Sequence, residues 1–134
     1  MNPTVRNIAA VFVGGLAGSF ARLGLTAASA ALVGTNQQPV TLIINVLGSF
    51  LLGVVVGYRS SSMPDWVFNA AGIGFLGSFT TLSAVSIDVA TSAITEPAFG
   101  LSVSVAYAIA NIAFGVFAAV VGLRMGKRRL GAPA

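Results

Sequence analysis

The residues of this chain that could do chemistry are hydrogen-bond donors, not nucleophiles. Gly77-Ser78-Phe79-Thr80-Thr81-Leu82-Ser83 sets four hydroxyls inside an apolar stretch running from Ile73-Gly74-Phe75-Leu76 to Ala84-Val85. An unpaired N–H or C=O in hydrocarbon costs several kcal/mol, so irregular backbone survives there only buried in protein or lining a wet cavity. Discontinuous helices of this kind commonly form ion or substrate sites. Asn45 and Asn111 add amide protons, Tyr107, Ser83 and Ser86 add hydroxyls, and Arg22 adds one fixed charge. The chain has 0 His and 0 Cys, which removes the commonest acid/base residue and metal ligand together with thiolate chemistry. No nucleophile–base pair is available, so the pattern points to a pathway and excludes an enzyme.

These donors must be carried by membrane spans. Hydrophobic residues make up 56% of the chain and charged residues only 7%, outside the range of a soluble globular domain. At about 20 residues per crossing, four spans are predicted, at roughly 7–33, 40–58, 66–92 and 98–123, with 124–134 as a basic tail. They form one four-helix transmembrane unit over 1–134, all-α, with the third helix broken near Gly77–Thr81. The first apolar stretch is too long for a cleaved signal peptide, and three more follow it. Of the 7 Lys and Arg, Arg22 lies within a span; Arg6, Arg59, Arg124, Lys127, Arg128 and Arg129 fall on one side if all four spans cross. The other two loops carry no Lys or Arg, so both termini are expected to be cytoplasmic. Trp66, after Pro64-Asp65, fits an interfacial anchor, and Glu96-Pro97 marks the turn between spans three and four. The tail charges suit anionic lipid headgroups, with nucleic acid a poor alternative.

The spans are striped. Gly14, Gly18 and Arg22 share one face of the first, where Gly14-xxx-Gly18 permits close approach by another helix. Arg22 sits deep in its span, either capping carbonyls and snorkelling or drawing anions inward. Thr41, Asn45, Ser49, Gly53 and Gly57 recur at i+4 in the second span, and Ser104, Tyr107, Asn111, Gly115 and Gly122 form a similar line in the fourth. Each stripe is either a helix–helix seam glued by buried amides or the wall of a wet path; two stripes beside a broken span favour the path. Thr80 or Thr81 could simply cap the restarted helix, and free N–H groups at a helix start also favour anions.

Taken together, these residues resemble the Fluc (CrcB) fluoride channels. The resemblance rests on Arg22 after Gly14-Gly15-xx-Gly18, on Thr41-xxx-Asn45-xx-Gly48-Ser49-Phe50-xx-Gly53, and on Gly74-Phe75-x-Gly77-xx-Thr80-Thr81-x-Ser83-xx-Ser86-x-Asp88. Tyr107, Asn111 and Gly115 are similar to the weaker pattern of the fourth span. The resemblance implies a passive fluoride exporter of the cell membrane, built as an antiparallel dimer of four-helix subunits with two pores near the interface. It assigns Asn45 to hydrogen bonding the ion, Ser83 and Ser86 to a polar track, and Arg22 to the vestibule. It also implies a structural sodium ion held at the centre by the backbone carbonyls of Gly77 and Thr80 from both subunits.

The departures from the family pattern are local. Leu82 and Val85 stand where that pattern has phenylalanines whose ring edges face the anion, and Ala84 replaces a threonine. Asn111 stands where serine is more usual, and Asp88 where glutamate is. With the one-sided Lys/Arg distribution, these differences suggest one half of a fixed-orientation heterodimer whose partner has reversed topology. A proton-coupled drug exporter is the competing class, yet it needs a carboxylate in the first span, which holds Arg22 and no acid. A non-conducting scaffold, with every stripe a packing seam, is the third reading.

Overall fold

A computed structural model describes residues 2–34, 37–59, 63–95 and 100–129, with the backbone alone at 31–33 and 129. Its elements are α1 (Pro3–Val33), α2 (Gln38–Gly57), α3 (Asp65–Phe68), a π-helical segment (Asn69–Leu76), α4 (Gly77–Phe79), α5 (Leu82–Thr95) and α6 (Gly100–Arg129). Among the described residues there is no strand, and four stretches are long and apolar enough to cross a membrane: Pro3–Ala30, Gln38–Gly57, Asp65–Thr95 and Gly100–Arg128. The third of these comprises α3, the π segment, α4 and α5. The expected Glu96-Pro97 turn and the tail from 130 to 134 lie outside the described residues. The part of the tail that is described, from Arg124, continues α6 as helix without a break.

The helix starts follow local chemistry. Asn2 caps α1, its Oδ1 accepting from the Thr4 N–H at 3.0 Å, and Pro3 occupies the first helical position, where no intrahelical N–H is needed. Pro39 does the same in the first turn of α2, and Pro64 precedes α3. Gly34 ends α1 at φ 62°, in the region that favours glycine. Between α2 and α3, Arg59 pairs with Asp65 at 3.0 Å and lies 4.2 Å from the centroid of the Phe68 ring. As an exposed pair it contributes little to stability and mainly orients the loop.

Two parallel helix pairs carry the packing. On α1, Gly14 and Gly18 press against the carbonyls of Ala70 and Phe75, so closely that a Cβ at either glycine would collide with backbone. Four residues of α1 are thus matched by five of the π segment, as expected when an α-turn faces the wider i→i+5 turn. Gly74 returns the contact, since a Cβ there would lie 2.6 Å from the Val11 carbonyl oxygen. On the other pair, Gly53 and Gly57 of α2 meet the carbonyls of Ala119 and Leu123, while Gly122 and Gly126 of α6 meet those of Phe50 and Val54. In both pairs residue numbers rise together, which puts the start of α1, the end of α2, the start of α3 and the end of α6 at one end of the bundle.

The interior reverses the order of a soluble protein. Thr41, Asn45, Ser104 and Asn111 are buried beside Ile44, Leu76, Phe79, Val85 and Ala118, whereas Phe12, Phe20, Ile94 and Phe117 stand on the outside. With lipid as solvent, burying apolar groups drives little association, so small-residue contact and internal polar bonds hold the helices together. Gly18→Ala should therefore lower the thermal midpoint of the detergent-solubilised protein, by an overpacking cost of about 1–3 kcal/mol. Gly24→Ala, with nothing within 4 Å of the new methyl, should leave it unchanged or raise it slightly; equal effects of the two would refute the α1 contact.

Candidate functional site

The third span is interrupted where the sequence predicts. Thr80 is extended at φ −81°, ψ 150°, after the short α4 and before α5. On the first side of the break, both the Thr80 N–H (3.1 Å) and its Oγ1–H (3.0 Å) donate to the Leu76 carbonyl. On the second side, Thr81 Oγ1 accepts from the Ala84 N–H at 3.3 Å and lies 2.8 Å from Ser83 Oγ. Thr81 is thus an N-cap for α5, satisfying one of its free amides.

The Thr81 peptide groups leave the helix altogether. Its N–H donates to Asn45 Oδ1 at 2.8 Å, and its carbonyl accepts from Asn45 Nδ2 at 3.0 Å. A continuous helix would have sent that N–H to the carbonyl of Gly77. The Asn45 side chain imitates a peptide group and closes the break from the neighbouring helix. Its second amide hydrogen goes to Asn111 Oδ1 at 2.8 Å, joining α2 to α6. Gly48, one turn on from Asn45, makes room for the displaced backbone: a Cβ there would meet Thr80 Cγ2, with Phe79 Cδ1 at 3.1 Å.

Two clefts meet at this bracket. The larger, about 410 Å³ and open on one side, is lined by Asn45, Ser49, Gly77, Thr80, Thr81 and Asn111 among others. The smaller, about 220 Å³, holds Arg22, Thr26, Thr41 and Asp88, with Thr81 common to both. Arg22 and Asp88 share this recess without forming an ion pair; Asp88 Oδ2 accepts from the Tyr107 hydroxyl at 3.0 Å, and Arg22 Nε is buried with no hydrogen-bond partner. Gln38 Nε2 donates to Ser92 Oγ at 2.7 Å and ties the start of α2 to α5.

The structure thus brings together Asn45, Asn111, Gly77 and Thr80 on one cleft, and Arg22 with Asp88 on the next. Leu82 stands at the rim of the first cleft, Tyr107 reaches the second through Asp88, and the remaining sequence candidates line neither. Ser83 and Ser86 are exposed on the outer face of α5, Ser86 Oγ donating back to the Leu82 carbonyl at 3.1 Å. Leu82 is 67% exposed on that face, whereas Val85 is 2% exposed and faces the interior. Sequence reasoning missed the recess residues Thr26 and Gln37 and the π-helical segment. The run Ala70-Ala71-Gly72-Ile73-Gly74 was the available signal, since residues with little or no side chain crowd least in a wider turn. The stripes split between both their readings: Gly53 and Gly57 form a seam, while Thr41, Asn45 and Ser49 line clefts.

A four-span helical subunit with a discontinuous span beside an open polar cleft is the build of membrane proteins that pass ions or small solutes. The chain belongs to the CrcB family, residues 9–123 matching the family described as CrcB-like protein, Camphor Resistance (CrcB). It is 34% identical over 123 residues to fluoride-specific ion channel FluC 1 of Nocardia farcinica, covering 88% of this chain and 80% of that one. It is 36% identical over 125 residues to fluoride-specific ion channel FluC of Agrobacterium fabrum, covering 90% and 96%. A shorter match, 42% over 83 residues, relates it to fluoride-specific ion channel FluC 2 of Symbiobacterium thermophilum, covering 60% and 68%.

Asn45→Ala removes all three bracket bonds and leaves the Thr81 N–H and C=O unpaired. Each such group costs about 1–3 kcal/mol, so the variant should unfold at lower temperature and its Thr81 amide should exchange with solvent much faster. Asn45→Asp keeps an acceptor for the Thr81 N–H and should fall between wild type and alanine. An unprotected Thr81 amide in the wild-type protein would contradict the bracket.

Proposed function

We propose that this chain is a subunit of a passive fluoride channel that exports the ion across the cell membrane. The observation that carries this reading is the broken third span, whose polar face opens into a cleft lined by amide and hydroxyl groups from α2, α6 and the break. Fluoride is small and tightly hydrated, so a narrow path must replace its water with N–H and O–H donors. Family membership and three relatives named as fluoride-specific ion channels support that ion over others. Arg22, with an unpartnered Nε in a recess adjoining the cleft, supplies the positive potential of a vestibule. The path continues past Asn45, Asn111 and Tyr107 and along Ser83 and Ser86. Leu82 and Val85 flank it as apolar wall, without ring edges to offer the anion.

The open side of the cleft implies a second subunit. Leu82, Ile112 and Val116 at its rim are well exposed, and the hydroxyls of Ser83 and Ser86 face out of the chain. An antiparallel partner would cover this face and complete the path. The one-sided distribution of Lys and Arg favours a different chain of reversed topology over a second copy, because a strong bias prevents insertion both ways. Anionic lipid meets the basic end of α6, and both termini are cytoplasmic.

The break also suits a structural sodium ion. Among the described residues no group of three or more His, Cys, Asp or Glu gathers as a metal site, so any cation there would rely on other oxygens. With the Thr81 N–H diverted to Asn45, the Gly77 carbonyl loses its helical donor, and the extended Thr80 turns its own carbonyl out of helical register. These two carbonyls fit a hard monovalent cation, which would fix the break by charge.

The test is fluoride efflux from liposomes carrying the purified protein, followed with a fluoride electrode, with the co-expressed partner chain and without it. Selective efflux of fluoride over chloride is expected with the partner. Absence of flux in both preparations would defeat the channel reading, and robust flux from the chain alone would defeat the obligate pair. Orientation is read separately, because the chain has 0 native Cys. Thr35→Cys should react with an impermeant maleimide in intact cells, and Ala134→Cys only after the membrane is opened; the reverse pattern would overturn the assignment.

A further inference from the structure

We propose that the groove between α2 and α6 holds one acyl chain of an anionic phospholipid whose phosphate is bound by Arg124 and Arg128. The inference deepens the reading that anionic lipid meets the basic end of α6, by giving that lipid a shaped site. It does not depend on which ion the chain conducts.

The groove has a volume of about 560 Å³, and no polar atom lines it. Its rims are Ile43 and Leu47 of α2 and Phe114 and Phe117 of α6, each more than half exposed, while Ala118 between them is buried. Apolar side chains on a membrane span are ordinary. A trough floored by a single methyl group is not, because it offers one hydrocarbon chain contact on both flanks where a convex helix offers one. The polar cleft is lined from α6 by Ile112, Gly115 and Val116 instead. At roughly 100° per residue, cleft and groove therefore lie on nearly opposite sides of that helix. A subunit that covers the open side of the cleft leaves the groove to the bilayer.

The charges that choose the headgroup stand on the groove's own face. Phe114, Phe117, Val121, Arg124 and Arg128 follow one another at spacings of three or four along the unbroken α6. Lys127 sits roughly a third of a turn off the Val121 line. Arg124 and Arg128 are exposed and form no ion pair among the described residues, and Asp65, the acid at that end of the bundle, is taken by Arg59. Two guanidiniums one turn apart can share the oxygens of one phosphodiester. The level is also right. A Cβ at Gly126 would lie 2.8 Å from the Tyr58 nitrogen, so Tyr58 stands beside the stretch between the two arginines. Tyr58 and Trp66, both exposed at this end, are the aromatic residues expected among headgroups. From Arg124 to Phe114 the helix rises about 15 Å, half of a hydrocarbon core of about 30 Å. The groove thus runs from headgroup to midplane, the depth of one leaflet. Its carbon lining offers nothing to a polar ligand, and the unpaired arginines favour a phosphate whose charge no ammonium balances.

The experiment is fluorescence quenching in liposomes. The chain has 1 Trp, so Trp66→Phe with Phe117→Trp places a single fluorophore of this chain on the groove rim, and Trp66→Phe alone supplies the background. The assembled protein is titrated, in a phosphatidylcholine host, with phosphatidylglycerol or phosphatidylethanolamine brominated on the acyl chain. Phosphatidylglycerol should reach half-quenching at a mole fraction about fivefold lower, the effect of one basic side chain at a charged surface. Arg124→Gln with Arg128→Gln, in the same background, should abolish that preference, whereas Lys127→Gln should keep most of it. Equal quenching by the two lipids would overturn the site, leaving only unselective boundary lipid. Quenching by neither would overturn it by showing the groove covered by protein. An equal loss in Lys127→Gln and in the arginine variant would overturn the groove while sparing a general attraction of the basic end for anionic lipid. None of these outcomes reads fluoride flux, so a failure of the channel reading shows separately.

Discussion

The side chain of Asn45 stands in for a peptide group, and the architecture depends on that substitution. Interrupting a helix in hydrocarbon frees backbone groups that have no water to turn to. Here the Thr81 N–H and C=O both find their partners on one amide of α2. The diverted N–H releases the Gly77 carbonyl, the extended Thr80 follows, and Thr81 Oγ1 is then placed to cap α5. Without the bracket, continuous helix would be the cheaper state for this stretch, and there would be no break for an ion to use.

The same bracket ties the break to both α2 and α6, across a bundle whose other main cross-contact is that of α5 on α6. α1 packs on the π segment and α2 on α6, each through glycines that admit backbone to backbone, while α1 and α2 make few contacts with each other. Asn45 reaches from α2 to the break and to α6, and Gly48 receives Thr80 one turn away. The clefts lie where the two pairs diverge, on either side of Thr81. Polar bonding thus sits at the divergence and close packing along the seams, as a bundle without a hydrophobic driving force requires.

Leu82 and Val85, where the resemblance would put phenylalanines, have different surroundings. Val85 faces inward among the buried residues, so a larger ring there would press on its own subunit. Leu82 faces outward, where only a neighbouring molecule could meet it. A ring at position 85 would therefore be a matter of packing within the chain, and one at position 82 a matter of what the chain presents to a neighbour.

Composition and apolar spacing alone determined the four crossings, the break near Gly77–Thr81 and the bias of positive charge, because hydropathy and irregular polarity act locally along the chain. Motif order was enough to reveal the family. The glycine spacing marked the seams, though not which carbonyls they would meet. What only the tertiary structure decided is who bonds whom. Asn45 and Asn111 lie 66 residues apart, and nothing in either stripe says that one amide exhausts its hydrogens on the other and on Thr81. The π segment showed in the sequence only as a run of small residues, since its wider turn answers the spacing of α1 beside it. The outward direction of Ser83 and Ser86 depends on where α5 restarts after the break. Periodicity places a donor on a face; whether that donor is free depends on the acceptors that folding brings to it.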